Sequence, residues 1–133
     1  MKWRRISNKF QGNKMTNSKP VYNLEERTFQ FAKQVRLFKK KLPKNTANIE
    51  DSKQLVKSSG SVGANYIEAN ESLSKKDFIM RVKICRKEAK ESAYFLRLIY
   101  ETNAAEFEKE GIDLHDEAIQ LKKIFSSIIE KSV

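Results

Sequence analysis

Apolar residues recur in alternating steps of four and three along four stretches of this chain. In the first, Leu24, Thr28, Phe31, Val35, Phe38 and Leu42 make one stripe, the seam spacing of packed helices. The spacing predicts a helix from about Leu24 to Lys41. Asn23 stands at the N-cap, and Glu25 and Glu26 stand near the positive helix end. Lys39 to Lys41 suit the negative end, and Pro43 stops the run. Phe29 and Leu37 fall outside the seam, so they would face a further helix or a second subunit.

A second helix is expected to start between Thr46 and Asp51 and to reach about Asn70. Its inward stripe is Leu55, Val56, Ser59, Val62, Gly63, Tyr66 and Ile67. Gly60 and Gly63 each cost about 1 kcal/mol relative to Ala in a helix interior. The periodicity holds on both sides of them, so the helix is read as continuous. The third helix opens at Ser74, with Asp77 three residues on as an acidic variant of the capping box. Phe78, Val82, Cys85, Ala89, Ser92, Leu96 and Ile99 form its stripe. Ile79, Ile84, Phe95 and Leu98 widen it, which puts this helix at the centre with more than one neighbour. Its end is expected between Asn103 and Glu110, before Gly111. Asp113 is read as the cap of a fourth helix whose seam is Leu114, Ala118, Leu121, Phe125 and Ile128, leaving His115 exposed in the first turn. Four amphipathic helices with short connections predict an all-α, antiparallel up-down four-helix bundle. Its core would include Phe31, Val35, Phe38, Val62, Tyr66, Phe78, Val82, Cys85, Ala89, Leu96, Leu121 and Phe125.

Composition narrows the setting. The 133 residues suit a single domain. No apolar run approaches the roughly 20 residues of a membrane span, and no apolar signal region opens the chain. Cys85 is the single cysteine, so an internal disulfide is impossible and a reducing, cytoplasmic setting is expected. The net charge is +10. Residues 1–22 carry +6 of it, from Lys2, Arg4, Arg5, Lys9, Lys14 and Lys19 with no acid. This extension lacks sustained periodicity and is expected to be disordered ahead of a bundle domain at 23–133. Three readings stay open: an arm for phosphate backbones, a solubilising tail, or an upstream start, with Met15 as the natural first residue.

The stretch from Ser58 to Glu71 is dense in small residues, with Ser59, Gly60 and Gly63 followed by Asn65 and Glu68. With Ser74-Lys75-Lys76-Asp77-Phe78 after it, it resembles the signature of the four-helix bundle proteins named after the 23S rRNA intervening sequence. Asn23 to Phe29 resembles the opening helix of that family, and Lys83 to Ser92 its third-helix motif. The likeness spans roughly Tyr22 to Val133. It implies a four-helix bundle that assembles into a ring, usually a pentamer, and it implies no reaction. Related pentameric bundles serve as accessory proteins of diversity-generating retroelements, where a basic surface binds nucleic acid.

Catalysis finds no support in the residues. Glu68 with Glu71, and Glu88 with Glu91, pair carboxylates at a spacing of three, but a carboxylate di-metal bundle also needs Glu-x-x-His pairs. His115 is the single histidine and has no such partner. Cys85 lies on the apolar stripe without an activating base nearby in sequence. Gly60-Ser61-Val62-Gly63 lacks the spacing of a phosphate loop. No enzyme activity, cofactor or metal is therefore expected.

Two readings of function remain. One is a non-enzymatic, homo-oligomeric scaffold, whose motif or interface would use Ser59, Gly60, Gly63, Asn65 and Glu68. Asn65 and Glu68 could equally bond backbone groups and fix helix register. The other is an RNA- or DNA-binding accessory module using the basic arm and the run Lys75, Lys76, Arg81, Lys83, Arg86, Lys87 and Lys90. That run could equally be a solvated face balanced by Glu88 and Glu91, with Arg81 pairing to Asp77. No aromatic-interleaved basic stacking platform appears in the sequence.

Overall fold

A computed structural model describes residues 24–133. The basic extension 1–22 and the Asn23 cap lie outside the described residues. Helix α1 spans Leu24–Lys41, α2 Thr46–Asn70, α3 Lys75–Thr102 and α4 Glu108–Ser132, with a single 3₁₀ turn, Ala105–Phe107, before α4. No strand occurs among the described residues.

The helices start where local chemistry supplies acceptors for their free N–H groups. The Asn45 side chain accepts from the Asn48 N–H at 2.9 Å and opens α2. Ser74 Oγ accepts from the Asp77 N–H at 3.1 Å and opens α3. The up-down order is visible at the helix ends. Asn70, last in α2, donates to Glu25 in the first turn of α1. Asn48, early in α2, and Asn103, just past α3, exchange reciprocal amide bonds of 2.7 and 2.9 Å. Asn103 itself is extended, its side-chain amide also donates to the Ile99 carbonyl, and α3 ends at Thr102, slightly ahead of the expected window.

Helix α3 is the centre, packed along both α2 and α4, while α1 lies chiefly on α2 and touches α4 more sparsely. All twelve residues expected in the core are buried. Each large side chain among them contributes about 1.5–3 kcal/mol by leaving water. Tyr66 and Phe125 meet at a centroid distance of 5.9 Å and join α2 to α4. Polar side chains inside find partners, save Arg27 Nη1: the Ser58 and Ser92 hydroxyls lie 2.9 Å apart, and Ser92 donates to the Glu88 carbonyl. Arg27 bonds Glu117 in a bidentate pair at 2.7 and 2.8 Å, the main polar tie between α1 and α4.

The fourth helix corrects the sequence reading. It begins at Glu108, so Asp113 is no cap; it lies inside the helix and pairs with Lys109 at 3.0 Å. The 3₁₀ turn starts the coil earlier, and Gly111 sits in the first turn of α4, close against Tyr100 of α3. A Cβ on Gly111 would stand 2.5 Å from the Tyr100 Cβ. A glycine that reads in sequence as a stop is used here for close approach. His115 is likewise not an exposed first-turn residue. It is half-buried, edge-on to the Tyr100 ring at 6.0 Å.

Candidate functional site

Outside the core, two surfaces gather the candidate residues: a groove between α1 and α2, and the outer face of α3. The groove has a volume of about 510 Å³ and is lined by Phe29, Ala32, Leu37, Gly60, Ala64 and Ile67, with Lys33 and Arg36 at its rim. Its apolar side chains are open to solvent; Phe29 is 60% exposed and Ile67 49%. Phe29 and Leu37 are the two residues of α1 that fall outside its core stripe, which is why they surface here. Ile67, expected on the inward stripe of α2, points instead into this groove.

The small-residue motif splits between the interior and the groove. Ser58 and Ser59 are buried, and Ser59 bonds the Val56 carbonyl. Gly63 serves the subunit itself: a Cβ there would meet Thr28 Oγ1 at 2.9 Å and Thr28 Cβ at 3.2 Å. At Gly60 a Cβ would meet only the far end of the Arg36 side chain, at 3.1 Å. Gly60 and Ala64 thus form the low floor of the groove. Asn65 donates to the Ser61 carbonyl and accepts from Arg81 Nη1 at 3.2 Å, tying α2 to α3. Arg81 therefore turns toward Asn65 and forms no pair with Asp77. Glu68 is exposed, and its backbone carbonyl accepts from the Ser72 hydroxyl and the Glu71 N–H. Asn65 and Glu68 do not converge on one site.

The seven basic residues also separate. Lys76, Lys83, Lys87 and Lys90 are exposed along one line of α3. Arg81 is half-buried toward α2, and Arg86 is half-buried on the other flank of the helix. Lys75 is exposed but off the line. The line continues beyond the lysines. Lys76, Met80, Lys83, Lys87, Lys90, Tyr94, Arg97 and Glu101 recur in steps of four and three, opposite the core stripe from Phe78 to Ile99, and all are exposed. Met80, Tyr94 and Arg97 escaped the sequence reading, although their spacing from Lys76 marks them. Tyr94 is 61% exposed, and its ring stands edge-on to Phe95 at 5.2 Å.

Among the described residues the titratable groups with shifted protonation are Cys85 and Glu88 on α3 and the exposed Arg97. Cys85 is buried, and burial pushes its thiol up to about 12, so it stays protonated. Burial, then the neighbouring Glu91, pushes the Glu88 carboxyl above its usual range. No group of three or more His, Cys, Asp or Glu residues able to hold a metal occurs among the described residues. No helix among them is long and apolar enough to cross a membrane.

Comparison with known proteins follows the same outline. A solved structure from Bacteroides thetaiotaomicron, described as a protein with unknown function from the S23 ribosomal protein family, is similar at 29% identity and a TM-score of 0.66. The match covers 79% of this chain and 96% of that one. Among curated proteins there is no match. The family described as 23S rRNA-intervening sequence protein matches residues 22–127, which takes in all of α1 to α3 and most of α4. The chain belongs to the 23S rRNA-intervening sequence protein family.

Proposed function

We propose that the protein is a non-enzymatic scaffold that works as a homo-oligomer, with the α1–α2 groove as the contact surface. The observation that carries this reading is the exposure of Phe29, Leu37 and Ile67 around one groove with a floor of Gly60 and Ala64. Clustered exposed apolar side chains rimmed by charge are the mark of an interaction surface. A second copy is the simplest occupant, and a head-to-tail contact that closes makes a ring. The family resemblance supports five subunits. Light scattering tests it: the chain should weigh a multiple of 15.5 kDa, and Leu37→Glu with Ile67→Asp should reduce that mass while the helical signal stays. An unchanged mass in the double variant would remove the groove from the contact.

A second reading, binding of nucleic acid, is favoured by the outer face of α3. Lys76, Lys83 and Lys90 on that face have no ion pair among the described residues, and Lys87 reaches Glu88 only at 3.9 Å. A ring would repeat this face and raise a modest affinity by multivalency. A drop in affinity for a labelled oligonucleotide with rising salt tests this reading; salt-insensitive or absent binding would sink it.

A further inference from the structure

We infer that the outer face of α3 takes single-stranded nucleic acid, with Lys76, Lys83, Lys87 and Lys90 tracking phosphates and Tyr94 stacking on one base. The inference rests on the nucleic-acid reading above and narrows it to one class of ligand and one recognition contact. From Lys76 to Arg97 the exposed line runs about 31 Å at 1.5 Å per residue. No carboxylate interrupts it between Lys76 and Arg97. The acids nearby lie off the line or at its end. Glu88 and Glu91 are half-buried on the flank, and Glu101 comes last, held by Arg97 at 2.7 Å.

Charge alone would suit a duplex as well as a single strand. Tyr94 separates the two. Tyr94 is largely exposed and its ring stands edge-on to Phe95, one helical turn on from Lys90. Bases inside a duplex already stack on their neighbours and cannot lie on a side-chain ring unless they are flipped out. An unpaired base can, and such stacking tolerates any sequence. Met80, 46% exposed between Lys76 and Lys83, offers a second apolar contact on the same line. An acidic protein would also answer the lysines, but it would gain little from one lone tyrosine face among four ammonium groups.

The test uses the full chain, since the basic extension adds the same charge to every measurement. Fluorescence anisotropy would follow a labelled 20-nucleotide single strand and a hairpin duplex of equal charge, across salt. Tyr94→Ala should weaken single-strand binding by about tenfold, within the range for losing one base–aromatic stack, and leave the duplex affinity unchanged. Tyr94→Phe should restore the single-strand affinity. Lys83→Gln with Lys87→Gln should lower the salt slope for the single strand by about 1.4, two phosphates at about 0.7 each. Equal affinity for both forms with no response to Tyr94→Ala would overturn the inference and spare the nucleic-acid reading. Absence of binding to either form would overturn both. Displacement of the strand by an acidic peptide with equal response to Tyr94→Ala would also overturn it, by making the face a protein-docking surface.

Discussion

The α3–α4 seam and the α1–α2 groove each contain a helical glycine, Gly111 in the first turn of α4 and Gly60 midway along α2, and the two do opposite things. Gly111 lets α4 approach α3 until Tyr100 fills the space a side chain would need, and Gly111 itself is buried. Gly60 borders open space; only the flexible tip of Arg36 stands near it. Gly63 lies between these limits, against Thr28. A glycine that costs about 1 kcal/mol in a helix can thus be offset inside the subunit, or be left for another molecule to offset.

The largest effect is expected where the seam is tightest. Gly111→Ala would force a Cβ into the Tyr100 Cβ and should destabilise the protein by about 1–3 kcal/mol, the usual cost of overpacking. Thermal or denaturant unfolding checks this, and a stabilised variant would mean that α4 can slide away from α3 freely. Gly63→Ala should also destabilise: a Cβ would stand 2.9 Å from Thr28 Oγ1, and Thr28 is buried with its hydroxyl held by the Leu24 and Glu25 carbonyls, so the crowding outweighs the roughly 1 kcal/mol of helix propensity gained. A variant as stable as the parent would show that α1 yields at this point. Gly60→Ala should stabilise the subunit by about 0.5–1 kcal/mol, measured where any assembly has been dissociated by dilution. A loss instead would show the site to be filled within the subunit.

The smallest effect concerns pH and the α2–α3 side. Burial raises the Glu88 carboxyl, so the fold favours its protonated form. The stability this gives is complete below the unfolded value near 4.5 and is lost as pH rises through the higher folded value. Glu88→Gln keeps the neutral form at all pH. It should leave the melting temperature unchanged at pH 4 and raise it slightly at pH 7. A lower melting temperature at pH 7 would make the carboxylate a net stabiliser through Lys87 or Lys57.

Steps of four and three made the bundle legible, and all twelve core residues follow from them, because a helix can bury only one stripe at that period. The start of α4 was hidden for the same reason that makes Gly111 interesting. A glycine followed by Asp113 has the chemistry of a stop and a cap, and only the approach of Tyr100 turns it into a helix interior. Of the candidate motif, Gly60 and Gly63 were readable as close-approach positions. Which of them serves the subunit and which faces the groove depends on where α1 lies, and no local pattern states that. Asn65 and Arg81 looked like surface chemistry because their partners are a backbone carbonyl and each other across two helices. Tyr94 lies four residues past Lys90, the last base of the run, and joins it only around the helix, where steps of four and three align them.

Sedimentation equilibrium of the full chain at micromolar concentration, beside Phe29→Asp, tests the groove most directly. Phe29 is more exposed than buried, so a charge there leaves the subunit folded and spoils only what covers the groove. The unsubstituted protein should sediment at five times 15.5 kDa and the variant at a single 15.5 kDa. A mass of 15.5 kDa for the unsubstituted protein, or one mass shared by both proteins, would contradict the account.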